Sequence, residues 1–170
     1  MAEPKTYICQ GKTYHSERDM VVALLDNFRA GEAFGAELLQ AWLNVCQLPA
    51  LRGGLRTVVE REAWHARVLA QRLQELDSPC QAQFAADTRQ VTLQRMGSAD
   101  ISDVDKLREI AGLVTGPTDP VAELRYAAEQ IEEDQETRAL LSTLLDDEDA
   151  TVRWLRDSYR QLIDEAAELG

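Results

Sequence analysis

The chain has 170 residues, a length that suits one domain with a sizeable hydrophobic core. Hydrophobic residues, mainly Ala and Leu, make up 45% of it and aromatic residues only 6%, a composition that favours helices. The formal net charge of −12 at pH 7 opposes binding to nucleic acid or to an anionic membrane surface. No segment approaches the roughly 18 consecutive apolar residues of a transmembrane helix. We therefore expect no nucleic-acid partner and no membrane partner.

The three cysteines, Cys9, Cys46 and Cys80, lie far apart in the sequence and form no C-x-x-C motif. An odd number of scattered thiols argues against a disulfide framework and fits a reducing compartment. The N-terminal residues also lack the basic patch and apolar run of a secretory signal peptide. These features predict a cytoplasmic protein, with Cys46 as a small buried residue on an apolar helix face.

Residues 1–16 are predicted to form a short hairpin or an extended segment, and residues 17–168 to form one helical domain. Two β-prone stretches flank Gln10 and Gly11, a residue pair that suits a tight turn. Ser16 then offers a side-chain cap for the first helix of the domain.

Apolar residues recur every three or four positions in four long segments, which predicts four helices. These cover residues 17–48, 50–77, a segment that starts at Asp103 and is interrupted at 116–120, and 136–167. We expect Asp103 to cap the third helix and the Gly and Pro residues at 116–120 to kink or split it. The short connection at Pro49 makes the first two helices antiparallel neighbours. Residues 79–103 carry only a weak helical pattern, so the predicted fold is two helical hairpins joined by one long crossover.

Polar residues interrupt the apolar stripes of three predicted helices. Glu32 interrupts the first stripe, Glu62 and His65 the second, and Glu148 and Thr151 the fourth. A carboxylate that faces a helical core is costly unless a cation or a hydrogen-bond network compensates it. Glu62 and His65 are three residues apart, so that both side chains reach one ion from the same helix face. An oxygen-rich ligand set with one nitrogen suits iron or manganese.

The two predicted hairpins also align with each other when 86 is added to each residue number of the first. This shift places Leu55 on Leu141 and Glu62 on Glu148 without a gap. It places Glu32 on Thr118, or on Thr115 in an alternative alignment, so the third helix offers no carboxylate at that position. The pattern favours a duplicated hairpin whose second half has lost part of its polar set.

A glutamate on one helix, followed by Glu-x-x-His on its antiparallel partner, resembles the half-site of ferritin-like di-iron carboxylate proteins. The sequence DDEDATVRWL at 146–155 is similar to the ferritin or bacterioferritin segment that carries the second Glu-x-x-His. The resemblance covers residues 18–76 and, more weakly, 103–162. The spacing between Glu32 and Glu62 is similar to that of encapsulated ferritins, in which two chains complete a shared site.

The resemblance implies an all-α, ferritin-like antiparallel four-helix bundle with one long crossover. It also implies one iron or manganese ion, bound by Glu32, Glu62, His65 and Glu148 or shared across a homodimer, with oxygen- or peroxide-linked redox chemistry. Thr151 stands where the family has its second histidine. This substitution and the missing carboxylate of the third helix argue against a two-metal centre within one chain.

A metal-free hypothesis accounts for the same residues. In it, His65 is a core histidine bonded to Glu32 or Glu62, and Arg29 or Arg125 neutralises a carboxylate. The protein then has no cofactor and is a degenerate bundle that serves as an interaction or dimerisation module. Glu148 is a ligand in the first hypothesis and a relic in this one.

Several other polar or aromatic side chains are predicted to have no role at the site. Glu60, Arg61 and Arg67 lie off the apolar stripe and are expected on a solvated face of the second helix. Trp64 and Trp154 are expected to pack at a rim or an interface.

Overall fold

The computed structural model describes the backbone of residues 5–114 and 120–168 and the side chains of 5–112 and 121–163. Within these residues the chain forms one two-stranded sheet and six helices. They are β1 (Tyr7–Cys9), β2 (Lys12–Tyr14), α1 (Glu17–Val45), α2 (Pro49–Glu75), α3 (Ala86–Met96), α4 (Asp103–Val114), α5 (Pro120–Glu129) and α6 (Gln135–Glu168). The predicted helical class is confirmed. No helix in the described segments combines the length and the apolar character needed to cross a membrane.

The N-terminal segment is an antiparallel hairpin, as the sequence predicts. Tyr7 pairs with Tyr14, and the turn residues Gln10 and Gly11 have φ angles of 50° and 71°. Two left-handed residues in a two-residue loop match the twist of the flanking strands. An isolated ribbon of this size is marginal, but here β1 packs on α1 and α5. The Gln130 side chain also donates to the Ile8 carbonyl and accepts from the Ile8 N–H.

Helices α1 and α2 form the first helical hairpin and pack along each other. The Ser16 hydroxyl accepts a hydrogen bond from the Asp19 N–H at 3.1 Å, which confirms the predicted cap. α1 ends at Val45, three residues before the predicted end, because residues 46–48 turn to extended backbone. Pro49 opens α2, where its fixed φ and missing N–H cost nothing. Cys46 is buried, as predicted.

The second half of the chain contains α4, α5 and α6. α4 and α5 lie on either side of the predicted interruption, and Thr115 and Thr118 fall outside the described residues. α6 packs against α4, α5 and α2, and α5 also contacts α1. The Ser102 hydroxyl accepts from the Asp105 N–H, so Ser102 caps α4 and the predicted cap at Asp103 is wrong.

The crossover between the two halves contains α3, where the sequence shows only a weak helical pattern. α3 rests on α1 and ends at Met96, directly before Gly97. Met96 is its only buried residue, whereas Val91 is 64% exposed. Few apolar side chains of α3 therefore contribute to the core.

Two apolar clusters make up the core. One lies towards the hairpin and includes Leu24, Leu69 and Leu144. The other lies towards the α1–α2 connection and includes Trp42 and Leu155. In α1, α2 and α6 alike, the polar residues that interrupt the apolar stripes fall between these two clusters.

The Glu17 carboxylate fixes the start of α6. It accepts hydrogen bonds from the backbone N–H groups of Glu132, Glu133 and Asp134 at 2.8, 2.8 and 2.9 Å. Burial alone would raise the pKa of Glu17, but these three donors outweigh it and lower the pKa. Asp134 in turn accepts from the Thr137 N–H and caps α6. The first residue of α1 is thereby tied to the entrance of α6.

Glu17→Ala is expected to lower the free energy of unfolding by about 3 kcal/mol, because three backbone donors lose a charged acceptor. Asp19→Ala, an exposed acidic residue in the same helical turn, should cost less than about 1 kcal/mol. Urea denaturation followed by circular dichroism measures both variants. Equal losses for the two variants would show that the Glu17 hydrogen bonds do not stabilise the fold.

Candidate metal centre

Glu32 of α1, His65 of α2 and Glu148 of α6 converge between the two apolar clusters. His65 Nδ1 lies 2.8 Å from Glu32 Oε2 and 3.2 Å from Glu148 Oε1. One ligand atom from each of the three residues lies within 4.8 Å of the others. His65 is 0% exposed and Glu32 is 5% exposed. Three helices therefore deliver one nitrogen and two carboxylate groups to a single buried position.

One ring nitrogen cannot bond fully to both carboxylates. His65 Nδ1 makes its hydrogen bond with Glu32 Oε2, and Glu148 Oε1, 3.2 Å from the same nitrogen, is buried with no hydrogen-bond partner in the described part of the protein. A buried carboxylate oxygen without a donor is costly. A cation between the three groups, in place of the proton, would contact all of them at once.

Asp147 faces the other side of the imidazole ring, where His65 Nε2 lies 3.2 Å from Asp147 Oδ2. A carboxylate behind a ligating histidine fixes the ring orientation and the position of its proton. Asp147 does not stand out in the sequence because it precedes Glu148 in a run of four acidic residues. The alignment of the two hairpins contains one sign of it. The shift of 86 residues places Arg61 on Asp147 and His65 on Thr151, so that Asp147 and Thr151 have the same spacing of four residues on α6 as Arg61 and His65 on α2.

Glu62 is buried beside the three converging residues but lies outside their ligand group. Its Oε2 packs against Gly35 of α1, where a Cβ atom would overlap it. Gly35 thus gives the Glu62 carboxylate a place against the α1 backbone. Three of the four predicted ligands are within reach of one ion, and the role of Glu62 as a ligand stays a prediction.

Neither arginine that was predicted to neutralise a carboxylate of the site pairs with one. Arg29 pairs with Asp26 and Arg125 with Asp149, each at 2.7 Å. Arg61, expected on a solvated face, is instead partly buried and donates to the Thr151 hydroxyl. The prediction for Arg61 is wrong because position 61 lies one helical turn from His65, on the side of α2 that meets α6.

Burial and neighbouring charges shift the pKa values of the ionisable groups at the site. Burial disfavours the charged ring of His65, but the carboxylates of Glu148, Glu32 and Asp147 outweigh it and raise the pKa of His65 to about 10. Burial is also the main reason why the pKa of Glu32 rises to about 7 and that of Glu62 rises well above its usual range. Without a metal, the site therefore favours an imidazolium at His65 and protonated carboxyl groups at Glu32 and Glu62.

A cavity of about 330 Å³ reaches the site. Glu32 and Glu148 line it, together with apolar side chains such as Phe28 and Leu124 and with Cys9 and other residues of the hairpin. Small molecules therefore have room beside two of the three converging residues.

Two of the three separations between the donor atoms match those around a first-row divalent ion. Metal–oxygen and metal–nitrogen bonds of about 2.1 Å place neighbouring ligand atoms about 3 Å apart. The two distances from His65 Nδ1, 2.8 and 3.2 Å, match this separation. Two carboxylates and one imidazole suit iron or manganese, and Asp147 is placed to accept the remaining ring proton.

Comparisons with models of protein families, with curated proteins and with solved structures find no match. The chemistry of the site is therefore inferred from its own donor atoms and geometry.

The metal-free protein is expected to become less stable as the pH rises from about 6 to about 8.5. The raised pKa values of Glu32 and His65 mean that the folded state binds more protons than the unfolded state in this range. The contribution of Glu32 to the free energy of unfolding is lost as the pH rises through about 7. The contribution of His65 to this free energy declines above about 6.5 and is gone near pH 10.

In the presence of a chelator, the midpoint of thermal unfolding should be roughly 5 °C lower at about pH 8.5 than at about pH 6. Glu32→Gln should flatten this dependence, because the variant removes one titrating group and one partner of the imidazolium. A midpoint that stays constant or rises over the same pH range would contradict the proton assignment.

Proposed function

We propose that the protein is a ferritin-like four-helix bundle that binds one iron or manganese ion through Glu32, His65 and Glu148. The observation that carries the proposal is the convergence of the buried Glu32 carboxylate and the partly buried Glu148 carboxylate on one ring nitrogen, with the buried Glu148 Oε1 left without a hydrogen-bond partner among the described residues. The Asp147 carboxylate behind the ring supports it, because it favours the imidazole proton on Nε2 and frees Nδ1 for the ion.

The packing of the helices supports the bundle. α1 packs on α2, α2 on α6, α6 on α5 and α5 on α1, so that these pairs close a ring. α4 and α5 together supply the third long segment, and α3 lies in the crossover. The three proposed ligands come from one chain, and the site therefore does not require the homodimer-shared arrangement that the spacing of Glu32 and Glu62 suggested.

Three protein ligands leave coordination positions open for water or a substrate. A bound iron or manganese ion supplies redox and Lewis-acid chemistry towards oxygen or peroxide at such positions. Glu32 and Glu148 line the 330 Å³ cavity, which gives a small molecule access to the ion.

Tag-free protein, reconstituted with Mn²⁺ or, without oxygen, with Fe²⁺, should contain about one ion per chain. His65→Ala is expected to lose this ion, because it removes the only nitrogen donor of the group. His15→Ala is a matched control, since His15 is exposed in the N-terminal segment and is the only other histidine of the chain. Elemental analysis after gel filtration measures the metal content.

The metal-free hypothesis makes the opposite prediction for the same samples. In that case His65 serves only as a buried imidazolium bonded to Glu32, and no ion remains with the wild-type protein after gel filtration. Wild-type protein without metal after both reconstitutions would therefore overturn the proposed function and leave the interaction module as the better hypothesis.

A bound ion should also stabilise the fold. With free Mn²⁺ at 100 times its Kd, linkage predicts about 2.7 kcal/mol of added stability, or a rise of roughly 5–10 °C in the thermal midpoint. Glu148→Gln should lose most of this rise, because it removes one anionic ligand. Asp146→Asn should keep it, because Asp146 is exposed on the same helix. Equal responses of the two variants would place the ion elsewhere.

A further inference from the structure

The cavity of about 330 Å³ beside the proposed metal site has mostly apolar walls. Its volume falls within the range of pockets that bind small molecules. The apolar part of the lining consists of Leu24, Phe28, Phe84, Val121, Leu124 and Val152. Most of these side chains belong to the apolar cluster near the hairpin or pack against it. A compact apolar molecule therefore finds a preformed surface next to the carboxylates of the site.

The charged side chains that line this cavity are all acidic. Glu32 and Glu148 belong to the proposed metal site, and Glu123 is an exposed residue of α5. Among the described residues, no Lys, Arg or His side chain lines the cavity. A carboxylate or phosphate ligand would meet like charges here without a basic partner, whereas a cationic ligand would meet opposite charges. The lining thus favours a ligand with a positive charge.

The Glu148 carboxylate offers such a ligand a hydrogen-bond acceptor. In the part of the chain that the structure describes, it makes no hydrogen bond, and its close charged contact is the 3.2 Å separation between Oε1 and His65 Nδ1. The Glu32 carboxylate, by contrast, is hydrogen-bonded to the same nitrogen at 2.8 Å. A primary ammonium group carries several N–H donors, and a hydrogen bond from it to a carboxylate is charge-assisted. Glu148 is therefore the better acceptor of the two for an ammonium group.

Two phenylalanine rings line the same cavity. Phe28 is buried in α1, and Phe84 is 44% exposed in the segment before α3. Phe84 has a ring partner despite this exposure, since its centroid lies 4.6 Å from that of Phe34. Aromatic rings attract ammonium groups and also pack against apolar ones. The rings therefore suit both parts of an apolar amine.

We infer that the cavity binds a small molecule with a primary ammonium group on an apolar body. The ammonium group donates to the Glu148 carboxylate, and the apolar body packs against Phe28 and Leu124. This ligand class goes beyond the proposed function, because the amine binds without a metal ion. Glu148 is also a proposed metal ligand, so the amine and the ion compete for its carboxylate.

Benzylamine, benzyl alcohol and benzoate are suitable probes, because they share an aromatic body and differ in the charge of the polar group. At about pH 8 the amine is a cation and benzoate is an anion. Calorimetric titration into metal-free wild-type protein, with a chelator present, measures the three affinities. The Kd of benzylamine should be about tenfold lower than that of benzyl alcohol, and benzoate should bind more weakly than the alcohol. Benzylamine that binds no more tightly than either analogue, or not at all at millimolar concentration, would overturn the inference.

A charge variant tests the role of Glu148. Glu148→Gln keeps the shape of the side chain without its charge, so the Kd of benzylamine should rise about tenfold while that of benzyl alcohol changes less than about threefold. Asp146→Asn is the matched control, since it removes an exposed carboxylate from the same helix and should leave both values unchanged. An unchanged benzylamine Kd in Glu148→Gln would rule out the proposed acceptor.

A second variant tests the position of the apolar body. Leu124→Trp fills the cavity and keeps all three proposed metal ligands, so it should lose the binding of benzylamine and retain that of Mn²⁺. Val91→Trp is its control, because Val91 is 64% exposed on α3 and lies outside the cavity. Circular dichroism establishes that each variant is folded, and Val152→Met replaces Leu124→Trp if the latter does not fold. Undiminished benzylamine binding by the folded cavity variant would place the amine elsewhere.

The same titrations with Mn²⁺ separate this inference from the proposed function. If wild-type protein binds benzylamine in the expected order but no Mn²⁺, the proposed function fails and the amine site stands. If it binds Mn²⁺ but shows no preference for the amine, the amine site fails alone. Where both bind, saturating Mn²⁺ should raise the Kd of benzylamine at least about fivefold, because the ion takes up the Glu148 carboxylate. A benzylamine Kd that Mn²⁺ leaves unchanged would contradict the shared carboxylate.

Discussion

The carboxylates placed between two apolar clusters are the constraint on which the rest of the molecule depends. Glu32 and Glu62 are buried and the Glu148 side chain is 14% exposed, in a region where an uncompensated charge costs several kcal/mol. Without a metal, the compensation comes from an imidazolium at His65 and from protons on Glu32 and Glu62, whose pKa values are raised, and to a smaller extent from the charge of Arg61. Arg61, Glu62 and His65 lie within about one turn of α2, which makes α2 the organising helix of the site.

The positions of α4 and α6 relative to α1 are fixed by contacts far from the site. Glu17 ties the start of α1 to the entrance of α6 through three backbone N–H groups. At the opposite end, Asp103 accepts from the indole of Trp42 and from the backbone of Gln47 and Leu48, which ties α4 to the end of α1. Both carboxylates keep lowered pKa values because their donors outweigh the cost of burial. For Glu32 and Glu62, by contrast, the cost of burial prevails and the pKa values are raised.

The sequence predicts the long helices and part of the site. It does not predict the surroundings of side chains whose position depends on contacts between different helices. Periodicity identifies the core faces, so that Glu32, His65 and Glu148 stand out as interruptions of apolar stripes. Periodicity does not show which edge of a helix face meets a third helix, and therefore it does not identify Asp147 and it wrongly predicts a solvated Arg61. The place of Glu62 beside Gly35 depends on how closely α1 and α2 approach, which no single-helix pattern contains. Ser102 rather than Asp103 caps α4, because the Asp103 carboxylate is already engaged by α1.

A proton and a metal ion compete for the same position at the proposed centre. In the imidazolium form, His65 Nδ1 directs its proton towards the carboxylates that would bind an ion, because separations near 3 Å suit a hydrogen bond and a coordination shell equally well. An entering ion would displace that proton, so metal affinity is expected to rise with pH while the stability of the metal-free protein falls. If the proposed function holds, the protonated and the metal-loaded forms are two states of one site, and pH and metal concentration set the balance between them.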